Sequence, residues 1–338
     1  MKNSKEIAFP EGVVEKILEF DSGIEPIFGV VIPVYNAELT IGRVLEGAWL
    51  AMDLPSHFVV IIDNSPDSSL EHVLNFFHSK HDSKLHSYTV LESHEGLHET
   101  RCDNVGFRFL KTTEFFLELQ ADIVIRDLML GSKLKSIFDK NMDIFSISGR
   151  GGHQQLRNYN PRLVSKTSYY VLKDIVLRNF KRAKRIDTFN DIRPIDNDDE
   201  FLENGKVGFL DGSFNGRCDW KNDTLLYVTE TVMRGPLAFR ASTMRELDFM
   251  NYISHPLASD DHELNLRAWL DFEMKSAFLP MKLESNLEWG SDRRKKPFKM
   301  EVANLIRYLL SIKNKRKSRL YKFRYPSGIL FKYEIRQF

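Results

Sequence analysis

Apolar runs and helical periodicities alternate through the first 125 residues of the chain. Two short runs, FGVVIPV at 28–34 and HFVVIID at 57–63, have the continuous apolar character of strands buried on both faces. The segments between such runs carry apolar residues at near-helical spacing. The predicted order is strand 28–34, helix 39–51, strand 57–63, helix 69–79, strand 85–93, helix 99–113 and strand 114–125. This alternation predicts a parallel sheet with right-handed helical crossovers.

Polar side chains follow several of these strands. Tyr35 and Asn36 follow the first strand, Asp63 and Asn64 end the second, and Asp122 lies near the end of the last. Ligands of open α/β sheets bind beyond the carboxyl ends of the strands, so these residues are candidates for a binding site. Each acid has an alternative interpretation as the cap of the following helix.

A second group of acids precedes an amphipathic pattern in the C-terminal half. Residues 260–263 read Asp-Asp-His-Glu, and a helical apolar periodicity follows. One interpretation is structural, because acids in a first turn suit the positive end of a helix dipole. The other is chemical, with one carboxylate acting as a base or a metal ligand.

The net charge of +1 conceals an asymmetry along the chain. Residues 293–338 contain 15 Lys and Arg against two acids, which leaves 33 basic and 45 acidic residues in 1–292. A basic tail indicates an anionic partner: an anionic membrane surface, or the acidic body of the protein itself. No nucleic-acid-binding motif accompanies the charge, so nucleic acid is not an expected partner.

Nothing in the chain predicts secretion or membrane insertion. The first 20 residues carry scattered charges without an apolar core, and no window of 18 uncharged apolar residues occurs. The two cysteines are far apart and form no metal-binding or redox spacing. We therefore expect a cytoplasmic protein, with peripheral contact at a membrane surface as an option for the tail.

Four stretches together resemble the signature segments of the family 2 glycosyltransferases. They are VVIPVYN, VVIIDNSPDSS, RCDNVGFRFLKTTEFFLELQAD and GPLAFR…SDDHELNLR, and they occur in the family's order. The resemblance implies the GT-A fold, a Rossmann-like α/β architecture with a mixed, mainly parallel sheet flanked by helices. It covers 27–290, with a nucleotide-binding half at 27–126 and an acceptor half at 127–290. An N-terminal extension at 1–26 and a basic, helical C-terminal extension at 291–338 would flank this domain.

The resemblance also implies a set of residues that bind the nucleotide-sugar donor. Asp63 would read the base, and two arginines of a mobile loop would contact the diphosphate. The implied donor-binding residues are Pro33, Tyr35, Asn36, Asp63, Arg101, Asn104, Gln120, Arg293 and Arg294. Two positions depart from the family pattern: Asn64 stands where a second acid is usual, and Gln120 replaces the first acid of the Asp-x-Asp motif.

The remaining implied roles concern metal and acceptor. Asp122 matches the metal-binding acid of the Asp-x-Asp motif and would hold Mn²⁺ or Mg²⁺. Asp261 matches the general base, while Asp260 and Glu263 would contact a glycan or lipid-linked acceptor.

Three functional hypotheses follow from these residues. The first is an inverting, metal-dependent glycosyltransferase that uses a nucleotide-diphosphate sugar, with UDP-sugars favoured. The second is a catalytically inactive nucleotide- or glycan-binding protein, prompted by Gln120 and the altered turn after Asp63. The third, a nucleotidyltransferase, is disfavoured because VVIPVYNAELTIG lacks a Gly-rich loop with basic residues for a triphosphate.

Overall fold

The computed structural model describes residues 5–149 continuously and shorter segments after them. The later described segments are 210–211, 216–217, 225–229, 232, 234–252, 260–279, 281–284 and 334–338. All structural statements below concern these residues.

Four parallel strands form the centre of the fold. They are β3 (Phe28–Val34), β4 (Ser56–Asp63), β5 (His86–Ser93) and β6 (Phe115–Glu118). β3 lies between β4 and β6, and β5 pairs with the outer side of β4. Every residue of β3 is buried, as its continuous apolar sequence predicts.

The side chains of successive strand residues point to opposite faces of the sheet. Both faces are therefore apolar here, and helices cover both. Val30 and Ile32 belong to one core cluster, and Val31 belongs to the other. The first cluster includes buried residues of α1 (Ile41–Ala51), α2 (Ser69–His78) and α4 (Leu130–Lys140). The second includes those of α3 (Glu99–Phe109), α5 (Ala241–Glu246) and α6 (Asp260–Phe272).

Antiparallel and parallel additions extend the centre into an eleven-stranded sheet. The added strands are β1 (Lys5–Phe9), β2 (Gly12–Phe20), β8 (Ile144–Ser148), β11 (Leu225–Thr229), β12 (Leu237–Arg240), β13 (Lys275–Phe278) and β15 (Glu334–Gln337). The order is β1-β2-β5-β4-β3-β6-β12-β8-β13-β11-β15. Since only β2, β11 and β12 run against the other strands, the predicted mixed, mainly parallel sheet flanked by helices is confirmed.

The strand predicted at 114–125 is interrupted, which corrects the sequence interpretation. β6 ends at Glu118, and a turn in which the Ile123 N–H donates to the Gln120 carbonyl (3.2 Å) precedes β7 (Val124–Ile125). β7 pairs with β14 (Leu283–Glu284) in a separate two-stranded sheet, and a second such sheet joins β9 (Leu210–Asp211) to β10 (Gly216–Arg217). Residues 119–123 therefore lie between two strands, with the side chains of Gln120 and Asp122 partly buried.

Both predicted extensions contribute strands to the main sheet. β2 pairs with β5, so residues 12–20 continue the sheet beyond its parallel centre. At the other edge β15 pairs with β11. The helical character predicted for the tail at 291–338 falls outside the described residues as far as 333, and at Glu334–Gln337 the structure has a strand instead of the predicted helix. Among the helices that are described, none combines the length and the low polarity that a membrane crossing requires.

An ion pair attaches the C-terminal strand to the body. The Arg336 guanidinium donates to both carboxylate oxygens of Asp143 at 2.7 Å. Hydrogen bonds from Arg336 lower the pKa of Asp143 from 3.8 to about 2, against an opposing contribution from burial. Because the folded-state pKa is depressed, the stabilisation is present above pH 3.8 and is lost as the pH falls toward 2.

Asp143→Asn should therefore lower the free energy of unfolding at pH 5.5 by about 1 kcal/mol, a figure discounted for the partial exposure of the pair. Urea denaturation at pH 5.5 and 2.5 would measure this, and the difference from wild type should shrink at the lower pH. Asp139→Asn, which removes an exposed (i, i+4) pair with Lys135, is the matched control and should cost about 0.3 kcal/mol. An equal difference at both pH values would contradict the assignment.

Gly106 permits the close approach of α3 to β3. A Cβ at this position would overlap the Cγ atoms of Val31 and lie 3.2 Å from Cδ1 of Ile61. Both neighbours are buried strand residues, so they have little room to move. Gly106→Ala should destabilise the protein by about 1–2 kcal/mol despite the better helix propensity of Ala.

Gly42 in α1 provides the matched control, because nothing lies within 4 Å of its added Cβ. Gly42→Ala should stabilise the protein by about 0.5–1 kcal/mol through helix propensity alone. Thermal or urea unfolding of both variants would compare them. Stabilisation by both substitutions would show that α3 and β3 are not in tight contact.

Candidate active site

The loops after β3 and β4 are tied together by hydrogen bonds. The Asn36 N–H donates to Oγ of Ser65 (2.8 Å), and that hydroxyl donates to Asp67 (2.6 Å). Asn36 has a left-handed φ of 51°. Burial opposes ionisation of Asp67, but hydrogen bonds from Ser65, Ser69 and nearby backbone outweigh it and lower its pKa. Asn36 is thereby held beside the end of β4, with Pro33 inside β3 and the Tyr35 side chain half exposed.

Asp63 orders the loop that enters α3. Its carboxylate is buried and accepts the N–H groups of Leu97 (2.5 Å) and His98 (2.8 Å), one on each oxygen. His98 has a φ of 68°, so these bonds hold an uncommon backbone conformation. Because each carboxylate oxygen accepts more than one hydrogen bond, this role leaves acceptor capacity for a base.

Two other predicted donor residues lie on α3. The Arg101 guanidinium stacks 4.8 Å from the ring centroid of Tyr252. Asn104 is 1% exposed, and its amide exchanges two hydrogen bonds with the Met250 backbone, at 2.8 Å and 3.0 Å. The Asn104 amide therefore fixes residue 250 against α3, and its nucleotide contact stays a prediction.

The predicted metal-binding segment lies in the turn between β6 and β7. The Gln120 amide donates to Oε1 of Glu99 at 2.8 Å, and the Thr40 hydroxyl donates to the Ala121 carbonyl at 2.7 Å. Asp122 is half-buried in the same turn. The position of the usual first acid is thus occupied by an amide that already bonds the first residue of α3.

Arg234 is a central residue that the sequence analysis did not identify. Its side chain is 8% exposed, and Nη1 lies 3.1 Å from both Glu99 Oε1 and Asp103 Oδ2. Its backbone N–H donates to Oδ2 of Asp261 at 2.9 Å. A buried guanidinium requires charged partners of this kind.

Asp261 lies in the first turn of α6 and is 2% exposed. One of its carboxylate oxygens, Oδ2, accepts the Arg234 N–H. The backbones of Asp260 and Glu263 belong to the same helix, but their side chains lie outside the described residues, as do Arg293 and Arg294.

These contacts bring together residues from distant parts of the sequence. Gln120 contacts Glu99, Glu99 contacts Arg234, and Arg234 contacts Asp261. The proposed donor-side residue Gln120 and the proposed base Asp261 are therefore linked through the Glu99 side chain and through Arg234, which contacts Glu99 by its guanidinium and Asp261 by its backbone N–H. A single site of this composition could bind a polar ligand and accept a proton from it.

Asp122 is suited to a metal that binds together with a ligand. Mg²⁺ and Mn²⁺ accept oxygen ligands, and one protein carboxylate can hold such an ion when phosphate oxygens and waters complete its coordination. Within the described segments, the one group of three acidic or imidazole ligands within 4.8 Å of one another is Glu15, Glu92 and His94. Glu15 lies on β2, Glu92 on β5 and His94 just beyond β5; β5 is three strand spacings, or about 14 Å, from β6, and β2 is four. Asp122 therefore needs ligand oxygens to form a full metal site.

No protein-family model matches the chain, and no curated protein matches it either. Solved structures with a similar arrangement include proteins in complex with nucleotides or nucleotide sugars. The mannosyltransferase PcManGT of Pyrobaculum calidifontis, in complex with GDP-Man and Mn²⁺, is 14% identical with a TM-score of 0.41. The match covers 72% of this chain and 52% of that one, so the chain spans about half the mannosyltransferase.

Two further structures are similar at the same level. S. aureus TarS 1-349 in complex with UDP-GlcNAc is 13% identical with a TM-score of 0.47, covering 87% of this chain and 68% of that one. GalNAc-T7 with UDP, GalNAc and Mn²⁺ is 13% identical with a TM-score of 0.45, covering 78% of this chain and 44% of that one.

Proposed function

We propose that the chain is a glycosyltransferase that moves a sugar from a nucleotide-diphosphate sugar to an acceptor hydroxyl with inversion. UDP-sugars are the favoured donors. The observation that carries this proposal is the buried Asp261 carboxylate, held by the Arg234 N–H and linked through Glu99 to Gln120. This link supports a site that has the base, Asp261, on one side and the turn after β6 on the other.

In the proposed reaction Asp261 accepts the proton of the acceptor hydroxyl while that oxygen attacks the anomeric carbon. The bond from the anomeric carbon to the diphosphate breaks, and the nucleoside diphosphate leaves with the electron pair. One carboxylate oxygen of Asp261 accepts the Arg234 N–H, which fixes the orientation of the group that receives the proton.

The donor is proposed to lie along the ends of β3, β4 and β6. Asp63 accepts hydrogen bonds from the base, beside Asn36 and Tyr35, and Arg101 contacts the diphosphate. Gln120 contacts the ribose, and Asp122 holds a divalent cation. That cation, Mn²⁺ or Mg²⁺, supplies positive charge to the leaving diphosphate when bound. Asp260 and Glu263 contact the acceptor, and Arg293 and Arg294 close over the diphosphate.

The acceptor is proposed to be a glycan or a lipid-linked glycan. The excess of basic residues in 293–338 would favour a peripheral position on an anionic membrane surface. Placement in the cytoplasm is part of the same proposal.

A donor screen tests this function at the level of binding. Thermal unfolding would be followed with UDP-, GDP- and dTDP-sugars, each with and without Mn²⁺. We expect one nucleotide to raise the unfolding temperature, and to raise it further with the metal, because a ligand that binds only the folded state stabilises it. His94→Ala would be run in parallel to remove any metal effect of the Glu15–Glu92–His94 group. Unchanged unfolding temperatures with all three nucleotides would contradict the proposal.

A catalytically inactive binding protein is the second candidate. The engagement of Gln120 by Glu99, in place of a second metal-binding acid, favours it. Under this alternative the donor screen gives the same binding, but nucleoside diphosphate is never released.

A further inference from the structure

Arg234 forms a bridge between the two sides of the candidate site. Its guanidinium lies 3.1 Å from Glu99 and from Asp103, and Nη2 donates to the Met250 sulfur at 3.1 Å. Glu99 and Asp103 are one helical turn apart on α3, so both face the same cation. Asp103 is fully buried, which makes its pairing with a cation a requirement of the fold at this point.

Hydrogen bonds also hold the backbone of residues 234 and 235. The Arg234 N–H donates to Asp261, and the next N–H, that of Gly235, lies 3.3 Å from Oε2 of the buried Glu118. Gly235 has a φ of 82°, and a Cβ there would lie 2.5 Å from Ile123 and 2.6 Å from the Gln120 oxygen. Residues 234–235 therefore contact α3, α6 and the β6–β7 turn at once.

We infer that Arg234 is a positioning residue that fixes the Asp261 carboxylate relative to Gln120 and the donor side of the site. This inference rests on the proposed function, because it assigns Asp261 the role of base. Arg234 acts through Asp261 and Glu99, and nothing in its contacts requires it to touch the substrate. Nη1 of the guanidinium lies near both acids of α3 while Nη2 donates to the Met250 sulfur, and a lysine ammonium, which lacks the planar fork, cannot hold all three partners in this arrangement.

Arg234→Lys tests the inference, with Arg240→Lys as the matched control. Arg240 is partly buried, and it donates to the backbone carbonyls of Phe138, Asn141 and Ile144, not to Asp261. We expect Arg234→Lys to lower kcat about 100-fold, since a displacement of about 1 Å at a reacting group has that effect. The donor KM should change less than about threefold, because the residue does not bind the donor. Arg240→Lys should leave both constants near wild type.

Hydrogen exchange supplies a readout that needs no turnover. The Arg234 amide donates to the buried Asp261 carboxylate, so it should exchange at least about tenfold faster in Arg234→Lys, where the guanidinium no longer holds this arrangement. Glu99→Gln is a milder variant for the case in which Arg234→Lys does not fold. It removes one ion pair at a partly exposed acid and should produce the same changes at smaller size.

The outcomes separate this inference from the proposed function. If wild type turns over no nucleotide sugar, the proposed function fails, and with it the assignment of Asp261 as base. In that case the exchange rates still decide whether Arg234 fixes Asp261. An unchanged kcat, a raised donor KM with normal kcat, or unchanged exchange at residue 234 in folded variants would overturn the inference.

Discussion

Asp261→Asn should reduce sugar transfer about a thousandfold while leaving nucleotide binding within about twofold of wild type. The amide has nearly the shape of the carboxylate, and its oxygen can still accept the Arg234 N–H. It cannot receive the proton of the acceptor hydroxyl, so the loss should appear in kcat and not in the donor KM. Initial rates of nucleoside diphosphate release with acceptor, together with calorimetric donor binding, would measure both quantities.

Asp271→Asn is the matched control for this substitution. Asp271 is an exposed carboxylate in the last turn of the same helix, far along α6 from the first turn that holds Asp261. We expect transfer within twofold of wild type in the control. Asp261→Asn with full activity would show that the base, if one exists, is another group.

Asp122→Ala should remove the metal dependence of donor binding and lower transfer about 100- to 1000-fold. The physical reason is that Asp122 is the proposed carboxylate of a site completed by diphosphate oxygens. Metal and donor should therefore bind cooperatively in wild type, and the metal alone should bind this site weakly. In the variant, Mn²⁺ should no longer add to the thermal shift that the nucleotide produces.

Metal binding at the Glu15–Glu92–His94 group must be distinguished from metal binding at Asp122, because a carboxylate–imidazole group on the surface can bind Mn²⁺ independently. The measurement would therefore be made in a His94→Ala background. Persistence of a nucleotide-dependent Mn²⁺ effect after both substitutions would place the metal on other residues.

The centre of the fold could be predicted from the sequence because its signals are local. Continuous apolar runs identified β3 and β4, and near-helical spacing identified α1 and α2, to within a few residues. The antiparallel strand β2 was not predicted. Its sequence mixes charges with apolar residues, and its pairing with β5 depends on contacts about 75 residues away in the chain. Such a strand forms because it pairs with a distant strand, and no local sequence pattern predicts it.

The candidate site could be predicted only in part. Asp261 and Asp122 were named from motifs; they lie in the first turn of α6 and in the turn before β7, and their roles stay predictions. Arg234 was missed because a lone arginine has no spacing signal, and its partners Glu99 and Asp103 precede it by more than 130 residues. A usable signal existed in α3, where Asp103 and Asn104 fall on a buried part of the helix and so required polar partners elsewhere.

The central claim is that this chain cleaves a nucleotide sugar and inverts the transferred anomeric carbon. NMR of a reaction containing the donor selected by thermal shift, Mn²⁺ and a simple glycoside acceptor would test it most directly. The account predicts slow release of nucleoside diphosphate, a product of opposite anomeric configuration, and loss of both in Asp261→Asn. Donor that binds but stays intact throughout, with identical spectra for wild type and Asp261→Asn, would contradict it and favour the binding protein.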